Sequence, residues 1–174
     1  MTLIPAAESD LEAVVALVNR AYRGTEGWTN EGEYLGGQRT DLQSLRNDLA
    51  AEPEARLLTM REHEHGPLLG VVWVEPSEAD AWYLGMLTVT PDLQDQGLGR
   101  RLLEGAEAFA AARGARRMRM TVIGIRDTLI AWYERRGYRR TGEAQPFPYD
   151  DSRFGLPRRD DLEFIVLEKR LPQT

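Results

Sequence analysis

The sequence predicts a mixed α/β domain of about seven strands and four helices, and three observations carry that reading. Short apolar runs with strand character and 3.6-residue apolar stripes alternate along the 174 residues. Turn or capping chemistry stands at most junctions. No internal repeat or low-complexity tract interrupts the succession, which reads β-α-α-β-β-β-α-β-α-β-β.

Residues 2–6 read as a short first strand. Ser9 and Glu12 then form a capping box opening a helix to about residue 22, with Leu11, Val14, Val15 and Val18 as its buried stripe. Residues 23–40, rich in Gly, Thr, Asn and Glu, are too polar for a core element and predict a long loop. A second helix starts near Thr40, where Gln43 completes another capping box. Strands at 56–62 and 68–74 flank the turn His63-Glu64-His65-Gly66, and a third at 81–89 completes an antiparallel meander.

The next helix, 97–113, places Leu98, Leu102, Ala106, Phe109 and Ala110 on one face, keeps Glu104, Glu107 and Arg113 outside it, and stops at Gly114. Residues 116–123 alternate arginine with Met118, Met120 and Val122, a strand pattern. Asp127 begins a helix to residue 136 whose apolar bulk is Ile130 and Trp132. Strands at 138–143 and 162–169 close the chain, separated by a loop at 144–161 rich in Pro, Gly, Asp and aromatics.

Length and an ordinary apolar content fit one domain over residues 1–174 with a sizeable core. Apolar runs are too short to span a membrane, and no secretory signal is visible, so a cytoplasmic location is expected. The absence of cysteine excludes disulfides, thiolate metal sites and a cysteine acyl-enzyme. A net charge of −6 argues against a general nucleic-acid partner. The arginine clusters at 113–119, 135–140 and 158–159 read as solvated faces, and Lys169, the only lysine, as genomic composition bias.

Function is concentrated in residues 87–103. An apolar strand ends at Pro91, and a turn bearing Gly97 and Gly99 enters an amphipathic helix. The first N–H groups of a helix lack intrahelical acceptors and its dipole is positive there, so the turn is built to cradle phosphate. It continues Gly99-Arg100-Arg101 rather than Gly-Lys-Ser/Thr, and Leu102 stands where a dinucleotide fingerprint needs a third small residue. The turn resembles motif A of the GCN5-related N-acetyltransferases, Gln/Arg-x-x-Gly-x-Gly/Ala, matched by Gln94, Gly97 and Gly99. Downstream, Tyr133 stands four residues before Gly137-Tyr138, similar to the family's Tyr-x-x-x-Gly-Phe/Tyr signature.

The resemblance implies an acyl-CoA N-acyltransferase fold: a mostly antiparallel sheet that splays apart where CoA enters. Its co-substrate is acetyl-CoA, with no metal. The main chain of Met86, Leu87, Thr88 and Val89 is expected to pair with the pantetheine arm, the Leu87 N–H polarising the acetyl carbonyl. Gln94, Asp95, Gln96, Gly97, Leu98, Gly99, Arg100 and Arg101 are expected around the pyrophosphate. Tyr133 is the expected general acid for the leaving sulfur; packing between helix and sheet is its alternative. The chemistry implied is direct attack of an amine on the thioester in a ternary complex.

Two departures stand out. Lysine-acetylating relatives carry an acidic residue at the position of Tyr83, which disfavours a protein-lysine acetylase of that type. Arg126 replaces an asparagine that touches pantetheine in many relatives; it is expected on a CoA phosphate or a substrate carboxylate, or simply exposed in the first turn. The general base stays open among Glu31, Glu33, Asp41, Glu78, Asp80, Asp150 and Asp151, each individually more often a solvated carboxylate.

Two polar loops are expected to flank the acceptor, carrying Trp28, Glu31 and Tyr34 in one and Phe147, Tyr149 and Phe154 in the other. Their acidic residues suit a cationic amine, whereas Arg39 and Arg153 suit a carboxylate, so the sign of the acceptor stays open. His63 and His65 on a hairpin tip lack a third placed ligand. The expected activity is acetylation of a small or amino-acid-like amine; protein N-terminal or lysine acetylation and a silent CoA-binding sensor are the alternatives. Monomer and homodimer are both left open.

Overall fold

The computed structural model describes residues 3–25 and 30–172. Its elements are β1 (Leu3–Pro5), α1 (Leu11–Arg23), β2 (Leu35–Gly36), α2 (Leu42–Ala51), β3 (Arg56–Arg61), β4 (Leu68–Pro76) and β5 (Ala81–Val89), then α3 (Leu98–Ala111), β6 (Arg117–Ile123), α4 (Asp127–Glu134), β7 (Arg139–Pro146), β8 (Leu156–Pro157) and β9 (Glu163–Arg170). Seven strands form one sheet in the order β1-β3-β4-β5-β6-β9-β7. Every recorded pairing in it is antiparallel except β5 with β6. This is the expected mixed sheet, with one addition: β2 and β8, inside the two polar loops, pair with each other. Among the described residues no helix is long and apolar enough to cross a membrane.

Period-2 alternation sends side chains to two cores. Leu58, Met60, Val72, Val74, Met118 and Met120 pack beneath α3 and α4, while Leu57, Val71 and Trp73 pack beneath α1 and α2. Strand β5 changes parity midway. Trp82 and Leu84 face the α3 side, and so do Leu87 and Val89, whereas Tyr83 and Met86 lie on the other. One extra residue is therefore inserted at Met86, whose φ of 52° is left-handed, and the register with β4 shifts there.

Both expected capping boxes are displaced. Ser9 does not cap; the Asp10 carboxylate instead accepts the Ala7 N–H at 2.9 Å, and a 3₁₀ turn, Glu8–Asp10, precedes α1. At α2 the cap is Asp41, accepting the Ser44 N–H at 2.8 Å, not the Thr40 and Gln43 pair. The buried stripe of α1 is Leu11, Val14, Leu17, Val18 and Ala21, with Val15 only partly covered. Glu107, expected outside the α3 stripe, is buried: it accepts the Tyr138 hydroxyl at 2.9 Å and Lys169 Nζ at 2.7 Å. The single lysine thus neutralises a buried carboxylate behind α3.

Candidate active site

Strands β5 and β6 pair only over Ala81–Tyr83 and Arg117–Arg119. Beyond that point β6 keeps its partner β9 through Ile123 while β5 keeps β4 through Val89, so the two diverge. A hydrogen bond between the hydroxyls of Tyr83 and Thr121, 3.2 Å apart, sits at the apex. The closed end is fastened by ion pairs. Arg117 meets Asp80 and Glu168, and Arg119 meets Glu78, Glu143 and Glu168. Arg119 is therefore buried and paired, not part of a solvated face, and Glu78 and Asp80 are engaged there instead of standing free as bases.

At the open end β5 runs through a 3₁₀ turn, Pro91–Leu93, into α3. The Gln94 side chain reaches back to the Val89 carbonyl at 3.4 Å. Asp95 (φ 70°) and Gly97 (φ 75°) are both left-handed, which curls the main chain between them into a concave turn before Leu98 opens the helix. Gly97 is required by its φ, since a Cβ there would meet no atom within 4 Å. At Gly99 a Cβ would make ordinary contact with Trp132 at 3.5 Å, so that position admits Ala. A concave turn before the first-turn N–H groups of α3, opening beside the edge of β5 that β6 leaves, fits a phosphate-bearing thioester such as acetyl-CoA.

The cavity at the split is lined by Tyr22, Arg23, Glu31, Arg39, Tyr83, Gly85, Met86, Leu87, Arg126 and Tyr133, among others, and has a volume of about 130 Å³. The Tyr133 ring lies edge-on to Trp132 and Tyr138, centroids 5.0 and 5.7 Å away. Burial, then the neighbouring Tyr22, push its hydroxyl pKa well above that of an ordinary tyrosine, so it keeps its proton. Tyr22 donates to the Leu87 carbonyl at 3.1 Å, and burial, then Glu31, raise its pKa as well.

Glu31 is no solvated carboxylate and Arg126 no exposed first-turn residue. Glu31 accepts from Arg23 at 2.7 Å and from Arg126 at 3.0 Å, with side-chain exposures of 10% for Glu31, 7% for Arg23 and 6% for Arg126. The two polar loops close over this cluster: Leu35 and Gly36 pair with Pro157 and Leu156, and the Arg158 N–H donates to the Tyr34 carbonyl. Gly155 (φ 101°) lies so close to Arg23 that a Cβ would stand 2.9 Å from Nη2. From α1, Asn19 accepts the N–H groups of Arg39 and Thr40, fixing where Arg39 enters.

Of the expected acceptor residues, Glu31 and Phe147 line the cavity, Phe147 as a buried plug against Phe164. Phe154 also lines it although 42% exposed, while Tyr149 is exposed and Tyr34 packs at the loop junction. Trp28 lies outside the described residues. Arg153 is held by Asp151, Asp41 caps α2, and Glu33, Asp150, His63 and His65 are exposed. Sequence reasoning passed over Tyr22, Arg23 and Asn19. For Tyr22 and Arg23 a signal existed, a polar and aromatic end to an otherwise apolar helix leading into a long loop.

Comparison with known proteins fits this geometry. The chain is 30% identical over 101 residues to a mycothiol acetyltransferase of Propionibacterium freudenreichii subsp. shermanii, covering 55% of this chain and 32% of that one. It therefore spans about a third of the length of that relative. Among solved structures, the ribosomal-protein-alanine N-acetyltransferase of Brucella melitensis superposes with a TM-score of 0.71 at 20% identity, covering 98% of this chain and 100% of that one. The yncA protein of Salmonella typhimurium, solved with its cofactor acetyl-CoA, gives 0.68 at 18% identity, covering 100% and 95%. The family model for the GNAT acetyltransferases matches residues 12–138, a span that holds the diverging strands β5 and β6, the turn into α3 and Tyr133, and the chain belongs to the GNAT acetyltransferase family.

Proposed function

We propose that this chain transfers an acetyl group from acetyl-CoA to the primary amine of a small-molecule or amino-acid-like acceptor, by direct attack in a ternary complex. The observation that carries the reading is the neutral Tyr133 lining a cavity at the point where β5 and β6 part. Acetyl-CoA, when bound, supplies the activated thioester. The unpaired edge of β5 at Met86, Leu87, Thr88 and Val89 holds the pantetheine arm. The turn of Gln94, Asp95, Gln96 and Gly97 with the first N–H groups of α3 from Leu98, Gly99, Arg100 and Arg101 takes the pyrophosphate.

The bulge at Met86 supports a role for the Leu87 N–H, because it breaks the β4 ladder at that residue. A donor aimed at developing negative charge contributes about 3–4 kcal/mol to the transition state. Tyr133 provides a proton at the leaving-group side, and its raised pKa keeps that proton in place at neutral pH. Glu31 has both oxygens engaged by guanidinium groups, so we assign it to organising the cavity rather than to taking the amine's proton. A small acceptor is favoured by the β2–β8 junction, which ties both loops over the cavity.

The test is release of CoA thiol from acetyl-CoA against a panel of amines, amino acids, polyamines, aminoglycosides and peptides, with Tyr133→Phe alongside. The chain has no cysteine to contribute background. Turnover on a small amine, reduced at least ~10²-fold by Tyr133→Phe, is expected. Turnover confined to peptides would move the assignment to protein acetylation, and tight acetyl-CoA binding with silence across the panel would favour a sensor.

A further inference from the structure

The charge of the cavity is lopsided. Among the described residues that line it, Arg23, Arg39 and Arg126 stand against Glu31 alone. That carboxylate is divided, one oxygen to Arg23 and the other to Arg126, so it cannot neutralise both. The remaining wall is largely Leu, Ile, Met, Phe and Tyr, which solvates excess positive charge poorly.

Arg23 supplies an independent observation. Its Nη1 donates to Glu31, its Nη2 reaches the Phe154 carbonyl at 3.4 Å, and its buried Nε has no acceptor among the described residues. A buried N–H left unpaired is costly, and a ligand bringing an anionic oxygen removes that cost. Arg39, 5.6 Å over the Tyr22 ring, adds a third guanidinium to the same wall.

We infer that the acceptor carries its own carboxylate, received by Arg23 and Arg126 with Arg39 beside them, which makes the substrate class amino acids rather than simple amines, polyamines or aminoglycosides. The inference rests on the acetyl-transfer reading of the same cavity. Guanidinium presents a planar set of donors matched to a carboxylate, and a polycation would meet three like charges there. Glu31 holds the two guanidinium groups in place and gives the acceptor's ammonium one opposite charge as it enters. The amine then lies in the cavity that Tyr133 shares.

The test compares L-amino acids with their amino amides on the whole chain, by thiol release and by calorimetric titration of N-acetyl-L-amino acids and N-acetyl amino amides in the presence of CoA. At least one amino acid is expected to exceed its amide about tenfold or more in kcat/KM. Arg23→Lys and the half-exposed Arg39→Met should raise its KM by about the same factor, with a smaller change in kcat, and so narrow the preference for the amino acid over its amide. A melting curve establishes that Arg23→Lys folds; Arg39→Met keeps the test alive where it does not. Turnover of amides or simple amines as good as that of amino acids overturns the carboxylate site and leaves acetyl transfer standing. Carboxylate binding sensitive to Arg39→Met, without turnover of any acceptor, overturns acetyl transfer and leaves the carboxylate site standing. Neither binding nor turnover overturns both.

Discussion

At the closed end of the β5–β6 pair, buried Arg119 is met by Glu78, Glu143 and Glu168, whereas at the open end one carboxylate, Glu31, is shared by two buried arginines. The residue types are the same and the balance is opposite. Carboxylates from the β4–β5 turn, the β7 bulge and β9 converge on Arg119, so the closed end carries more negative than positive charge and is complete without a ligand. Its work is to hold together the strands whose divergence makes the site. Among the described residues, those lining the cavity at the open end carry more positive than negative charge, and the buried Arg23 Nε there has no acceptor. Burial alone does not separate a structural ion cluster from a receptive one; the count of partners does.

The largest effect expected from breaking this comparison is on catalysis. Tyr133→Phe should lower kcat by about 10²- to 10⁴-fold with an unchanged melting temperature, read by steady-state thiol release. Glu143→Gln, at the closed end, should leave kcat unaltered.

Stability should separate the two ends next. Glu31→Gln removes the carboxylate that two buried guanidinium groups share and is expected to cost about 3–5 kcal/mol in urea unfolding. Glu143→Gln leaves Arg119 with Glu78 and Glu168, and its own side chain is 58% exposed, so about 1 kcal/mol or less is expected. Equal losses would show that the partner count does not distinguish the clusters.

A smaller effect is expected at the turn. Gly97→Ala forces a side chain into a left-handed φ and should cost about 1–2 kcal/mol and weaken acetyl-CoA binding in calorimetry. Gly99→Ala gains an ordinary contact with Trp132 and should bind acetyl-CoA as the parent does.

The smallest effect is on the pH profile. A hydroxyl whose pKa is raised retains its proton to higher pH, so Tyr133 stays an acid and kcat/KM should climb as the acceptor amine deprotonates, with no fall caused by Tyr133 below about pH 10. The same rising limb, scaled down, is expected in Tyr133→Phe. An alkaline fall near pH 8 that Tyr133→Phe abolishes would contradict the assignment of the acid.

Much of the fold was legible because local patterns agreed. Strand β5, the glycine turn and α3 announce themselves by alternation, by Pro91 and by the Leu98, Leu102 and Ala106 stripe. Tyr133 was singled out by the resemblance of residues 133–138 to a family signature, and the fold brings it to the cavity wall. What escaped was long-range pairing of polar residues. Glu31 sits in a stretch whose composition reads as solvated loop, and only the folded chain brings Arg126, 95 residues away, to it. Glu107 lies off the apolar stripe and is buried because Lys169 and Tyr138 arrive from other elements. The bulge at Met86 did leave a trace: Trp82 and Leu84 occupy even positions, Leu87 and Val89 odd ones, and a strand facing one core cannot change parity without an insertion.

The most direct test of the division between a closed structural end and an open receptive end is amide hydrogen exchange with and without acetyl-CoA. Slowed exchange at residues 86–89 and 96–101, with residues 117–119 unchanged, is the expected result. Protection centred on the closed end, or none anywhere at saturating acetyl-CoA, would contradict it.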